Sequence, residues 1–223
     1  EKSLTVPEQK LLKALTYGIL KSGHVHVTKI GSVLQESISL KKTCKRLRYH
    51  LGKKSFFQRL LDTHLRANRH YLSRCKYLVI DGSDVTKRYA QKMEALASVH
   101  DGSTGKISSG YWQMNMIGVN PTTSSTTLAS SRLYSFQAQA EPDDLSENTV
   151  ILEELSRIDR TVAAKQTVVI DRGGDRRVLI EQFLRDNRPF IIRQTGKRHI
   201  FHNSRIKRVD TTGKNTTLSF QTM

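Results

Sequence analysis

Two aspartates stand where carboxylate chemistry could be built. Tyr77-Leu78-Val79-Ile80 is an apolar run closed by Asp81, with Gly82-Ser83-Asp84 behind it. Thr167-Val168-Val169-Ile170 is a second run closed by Asp171, with Arg172-Gly173-Gly174-Asp175 behind it. Short β-branched runs without polar alternation fit strands buried on both faces. In open α/β sheets, sites gather at the carboxyl ends of such strands. Two carboxylates brought together repel unless they share a proton or bind a cation. Hard oxygen ligands left open to water suit Mg2+ or Mn2+. An Asp in this place also serves as a helix cap or an Asx turn, and that is the role expected of Asp84 and Asp175.

The rest of the chain must hold those strands side by side. Residues 94–99 and 110–119 flank a turn at Asp101-Gly102-Ser103, a hairpin pattern, and residues 126–136 read as a third antiparallel strand. Residues 143–161 read as a helix with Leu145, Leu152, Leu155 and Ile158 inward; Val178, Ile180, Phe183 and Leu184 mark another. Pro189-Phe190-Ile191-Ile192 is a further buried strand, and the tail has strand-like pieces at 199–201, 205–209 and 217–220. The order strand, strand, strand, helix, strand, helix, strand is RNase H-like. Such a mixed sheet, flanked by helices, sets its first and fourth strands side by side and so brings Asp81 and Asp171 to one place.

The first 75 residues read as helices. Thr5 and Glu8 have capping-box spacing with Pro7 close behind, Leu11, Leu12, Leu15 and Ile19 recur at helical spacing, and Gly23 stops the run. A short helix begins near Thr28. Ser39 caps a third, whose apolar stripe is Leu40, Cys44, Leu47 and Leu51, and whose other faces carry Lys41, Lys42, Lys45, Arg46 and Arg48. A fourth runs from Ser55 towards Leu72. A short helix, a turn and a basic amphipathic helix have the outline of a helix-turn-helix, with those five cations placed to hold phosphates rather than to read bases.

Charge supports a polyanionic partner. The 223-residue chain carries a net +17, distributed as +13 over residues 1–76, −2 over 77–192 and +6 over 193–223. A basic head and tail around a middle that keeps its carboxylates point to nucleic acid. An apolar share of 37 % in a chain of this length supports a packed core. No run approaches the ~20 apolar residues of a membrane span, and no signal-peptide pattern opens the sequence. Cys44 and Cys75 cannot form a disulfide framework, which suits a reducing compartment. The histidine pairs His24/His26 and His199/His202 lack zinc-site company, and no phosphate loop, hydrolase elbow or dinucleotide fingerprint is present.

Residues 77–200 resemble the DDE transposases of bacterial cut-and-paste insertion sequences. Leu78-Val79-Ile80-Asp81-Gly82-Ser83-Asp84-Val85-Thr86 is similar to that family's first-aspartate block, and Val169-Ile170-Asp171-Arg172-Gly173-Gly174-Asp175 to its second. Ser146-Glu147-Asn148 and Pro189-Phe190-Ile191-Ile192-Arg193 also fit its run of segments. The resemblance implies a helical DNA-binding region over 1–75, an RNase H-like catalytic core over 76–196 and the start of a β-rich insertion from 197. It implies Asp81 as the carboxylate shared by two Mg2+ or Mn2+ ions, Asp171 as a ligand of one, and Arg172 and Arg193 near phosphates. It further implies double-stranded DNA as partner (transposon ends and target), a dimer in the DNA complex, and a nucleoid-associated cytoplasmic protein. The family's third carboxylate, a Glu on a later helix, has no counterpart before Met223. The expectation is therefore DNA binding with at most weak metal binding by these residues alone. Such a chain could be the enzyme's first part or a derivative that only occupies DNA.

Overall fold

The computed structural model describes residues 3–87, 89–102, 104–137, 146–194, 199–202 and 205–208. The chain divides into two units, Glu1–Ala67 and Asn68–Met223, with the boundary inside a helix.

The first unit is helical: α1 (Val6–Ser22), α2 (Val27–Val33), α3 (Leu40–Leu51) and the start of α4 (Lys54–Leu72). At the head of α1, the Glu8 carboxylate accepts from the Thr5 N–H at 2.8 Å and the Thr5 hydroxyl at 2.9 Å. Gly23 ends the helix with φ +68°. Leu11, Ile30, Leu47 and Phe56 form the unit's apolar centre. Glu8 also carries the Arg59 guanidinium, although Glu8 itself is only 3 % exposed. Arg59, with the Thr5 N–H, holds the Glu8 carboxyl down at about 2. A lowered folded value means the pair's stabilisation is complete above the unfolded carboxyl's ordinary ~4.3 and is lost as pH falls from there towards 2. Circular-dichroism melts should therefore show Glu8→Gln well below the wild type at pH 7, with the gap closing near pH 2.

The second unit is built on a six-stranded mixed sheet. β1 (Tyr77–Thr86) pairs antiparallel with β3 (Lys106–Asn120) and parallel with β5 (Thr167–Ile170). β2 (Ala97–Asp101) and β4 (Ser125–Tyr134) both pair antiparallel with β3, and β6 (Phe190–Ile192) runs parallel to β5. The path β4–β3–β1–β5–β6 is the RNase H-like order, with β2 as a short addition. A separate hairpin joins β7 (His199–His202) to β8 (Arg205–Arg208). The strand expected at 217–220 lies outside the described residues, as do residues 143–145 of the helix expected from 143.

One face of the sheet is closed by helices. Leu78, Ile80, Met114, Met116 and Val168 are all buried there. α5 (Glu147–Thr161) places Val150, Ile151, Leu155 and Ile158 in the core. α6 (Arg177–Arg185) contributes Leu179 and Phe183, whose ring meets Phe190 at 5.6 Å. Of the residues that marked this helix in the sequence, Val178 is 52 % exposed and Leu184 37 %. Likewise Leu40, expected inward on α3, is 43 % exposed, and Thr43 takes the buried place. α6 is one-sided: Leu179 and Phe183 lie on its apolar face, while Val178 falls among Glu181, Gln182 and Arg185.

At the crossing of β1, β2 and β3, Gly110 has no room for a side chain. A Cβ there would stand 2.5 Å from the Val85 carbonyl oxygen and 2.8 Å from Val99 Cγ2. Backbone cannot rotate aside, so Gly110→Ala should destabilise the sheet unit by ~1–3 kcal/mol, the usual range for overpacking, as read by urea denaturation.

Candidate functional site

β1 does not end at Asp81, as the apolar run suggested; it continues to Thr86. What ends at Ile80 is its pairing with β5. Ile80 and Ile170 are the last register partners, so Asp81 and Asp171 each follow immediately. Neighbouring strands run about 4.8 Å apart. Both aspartates therefore stand side by side, one step beyond the shared ladder. Strand alternation puts them opposite the buried Ile80 and Ile170, and both are exposed.

The two carboxylates differ in how they are held. Asp171 accepts from the Gly173 N–H at 2.8 Å through Oδ1, an Asx turn that opens the short 3-10 turn Arg172–Gly174. This is the structural role an Asp at a strand end commonly takes, and it leaves Oδ2 outward. Asp81 makes no side-chain hydrogen bond among the described residues. Gly174 lies against Ile170, where a Cβ would be 2.5 Å from Cγ2, so the turn sits tightly on the end of β5.

The loop is held from the other side by α5. Arg176 donates to Glu147 and, at 3.1 Å, to Asn148 Oδ1. Glu147 Oε1 in turn lies 3.4 Å from where a Gly82 Cβ would be. Glu147 and Arg176 thus tie the segment after Asp171 to the strand bearing Asp81. Ser146, whose hydroxyl accepts from the Thr149 N–H at 3.1 Å, caps α5 and fixes Glu147 in its first turn. Arg172 and Arg193 are exposed at the same end of β5, the Arg193 N–H bonding the Ile170 carbonyl at 3.2 Å. Asp84 fills the structural role expected of it, accepting from the Gly102 N–H at 3.1 Å.

Two carboxylates with water access match Mg2+ in kind, since that ion keeps several waters and takes one or two carboxylates together with substrate phosphates. Among the described residues, no group of three or more His, Cys, Asp or Glu could hold a metal ion. Glu181 pairs with Arg177 at 2.5 Å on α6, and Asp210 lies outside the described residues.

On α3, Lys41, Lys42, Lys45 and Arg48 are exposed. Arg46 is not a free cation: it pairs with Glu36, which also accepts from the Thr43 hydroxyl at 2.8 Å and is held below the ordinary carboxylate range by Arg46 first and Thr43 second. Tyr49, unremarked in the sequence, is 65 % exposed on the same helix with Lys53 Nζ 4.7 Å over its ring. Its flanking by Lys45, Arg48 and Lys53 was the available signal. A second omission lies on β3. Gln113 and Asn115 alternate with the buried Met114 and Met116, so two polar residues share the face that bears Asp81.

No protein-family model and no curated protein matches the chain. Among solved structures, the piggyBac transposase synaptic complex with hairpin DNA aligns over 86 % of this chain and 42 % of its own, at 10 % identity and a TM-score of 0.45. The Mos1 transposase paired-end complex with the left transposon end aligns over 87 % and 61 %, at 11 % identity and a TM-score of 0.28. The Mos1 mariner paired-end complex with Mn aligns over 85 % and 59 %, at 13 % identity and a TM-score of 0.28. The chain thus spans 42 % of the first of these and 59–61 % of the Mos1 chains.

Proposed function

We propose that this chain is the DNA-binding and core portion of a cut-and-paste DNA transposase of the insertion-sequence kind. It would bind transposon ends through its basic head and cut and join DNA strands at Asp81 and Asp171. The observation that supports this reading is the register of β1 and β5, whose last partners, Ile80 and Ile170, are each followed directly by an exposed aspartate. Their sequence blocks supply the resemblance.

In this reading Asp81 and Asp171 would hold Mg2+ or Mn2+. Such ions, when bound, activate the attacking oxygen and stabilise the leaving one in an in-line displacement. The chain's own residues do the rest. The Asx turn at Gly173 orients Asp171, and the Glu147–Arg176 pair keeps its loop against β1. Arg172 and Arg193 offer positive charge to the scissile strand. Lys41, Lys42, Lys45 and Arg48 grip phosphates of the bound end, while Arg46 braces the turn before α3 through Glu36. Cleavage is the work of a dimer assembled on DNA.

Fluorescence anisotropy with a labelled duplex tests the head. Each phosphate contact contributes a slope of about −0.9 to log K against log salt. Replacing Lys41, Lys42, Lys45 and Arg48 by Ala should flatten that slope by up to ~4. Mn2+ titration with DNA present tests the core. A salt slope untouched by the four substitutions, together with no Mn2+ bound, overturns the proposal.

A further inference from the structure

We infer that Asn115, which stands opposite Asp81 in the β1–β3 register and is hydrogen-bonded to Ser131 and Gln113, is a positioning residue for Asp81; the inference deepens the metal-site reading above and rests on it.

This placement is a consequence of register. Asp81 faces Asn115 across the β1–β3 ladder, and Asn115 faces Ser131 across the β3–β4 ladder. With Asp171 on the far side of Asp81, four adjacent strands place Asp171, Asp81, Asn115 and Ser131 in line. Gln113, two residues along β3, joins on the same face.

Three hydrogen bonds organise the Asn115 end. The Ser131 hydroxyl donates to Asn115 Oδ1 at 2.8 Å, and Gln113 Nε2 donates to the same oxygen at 3.2 Å and to Ser131 Oγ at 2.9 Å. Both bonds to Asn115 end on its oxygen. An Asn side chain has one acceptor oxygen and two N–H donors, so the network fixes which way the amide is turned. Its donors remain for a group beyond the triad. The directly opposed residue is Asp81, whose Cβ lies roughly 4.5–5.5 Å away in such a pair, and which makes no side-chain hydrogen bond among the described residues.

An amide N–H can satisfy one oxygen of a carboxylate and leave the other for a metal or water. Asp171 already has this arrangement, with Gly173 N–H on Oδ1. The Asn115 amide, directly opposite and with its donors free, makes no hydrogen bond to Asp81 in the structure and would become its matching anchor when the carboxylate turns towards a cation. Both carboxylates would then present one oriented oxygen each to the space between β1 and β5. Partners of this sort restrict ligand rotation, and their loss typically lowers metal affinity 10–100-fold.

The test uses the full chain labelled with 15N. The Asn115 side-chain NH2 signal, assigned by its disappearance in Asn115→Ala, should shift strongly in Asp81→Asn and on adding Mg2+. Mn2+ titration should show affinity ~10–100-fold weaker in Asn115→Ala and in the similarly shaped Asn115→Leu, with unchanged melting. Ser131→Ala, which frees the amide, should weaken it less. An Asn115 NH2 signal that ignores Asp81→Asn overturns the inference, whatever the metal does. Failure of the wild type to bind Mn2+ overturns the metal reading instead, and the response to Asp81→Asn still decides the contact. If Asn115→Ala does not fold, that response and the Asn115→Leu titration carry the decision.

Discussion

Asp81→Asn is expected to abolish the proposed Mn2+ binding of this chain and to leave its stability unchanged. Asp81 is exposed, and its side chain makes no hydrogen bond among the described residues on which the fold depends. The amide is also the same size as the carboxyl, so nothing is lost from packing. What disappears is the charge facing the space beside Asp171. The loss should exceed the ~100-fold that removing an outer partner of a ligand can cost, because here the proposed ligand itself is removed. Isothermal titration with Mn2+, alongside a thermal melt, reads both halves. Asp171 should behave differently. Asp171→Asn keeps an oxygen for the Gly173 N–H and loses only the metal, whereas Asp171→Ala also releases the turn that carries Arg172. Equal Mn2+ affinity in wild type and Asp81→Asn would refute the carboxylate site.

Asp159→Ala costs the sheet unit ~3–5 kcal/mol, the range for stranding one member of a buried ion pair. The reason is an asymmetry of exposure. The Arg188 side chain is 2 % exposed and its charge is matched by Asp159, itself 32 % exposed. Removing Asp159 leaves a guanidinium sealed from water without its counter-charge. The reverse substitution, Arg188→Met, leaves a carboxylate that water can reach, and the cost should be much smaller. Urea denaturation of the two variants reads the difference. Similar losses in both would mean that packing of the arginine stem, not its charge, dominates. The neighbouring Glu154 follows the same logic in reverse: it is the buried member, 6 % exposed, and Ser130 and Arg157 satisfy it at 2.5 and 2.8 Å.

Periodicity was enough where an element's ends are chemically marked. α3 runs Leu40–Leu51 between Ser39 and Gly52, and β5 runs Thr167–Ile170, both at the bounds read from the sequence. It failed where neighbours decide. β1 runs six residues past its apolar core because β3 is long enough to pair with Asp81–Thr86, and no local pattern in those polar residues announces a strand. Arg46 looked like one more cation of a basic helix until the turn brought Glu36 against it.

The sequence by itself determined the kind of chemistry available: two apolar runs each closed by an aspartate, a basic helical head, and a strand and helix order that admits few sheets. These are local properties of residue type and spacing. The strand order already brought Asp81 and Asp171 to one place; tertiary structure decided the register in which they stand and which residues face them. The juxtaposition of Asp81 with Asp171, and of Asp81 with Asn115, follows from strand register between segments 90 and 34 residues apart. Register is set by the summed packing of a whole sheet face. A shift of one residue in either ladder would send the aspartates to opposite faces without changing a letter of the sequence.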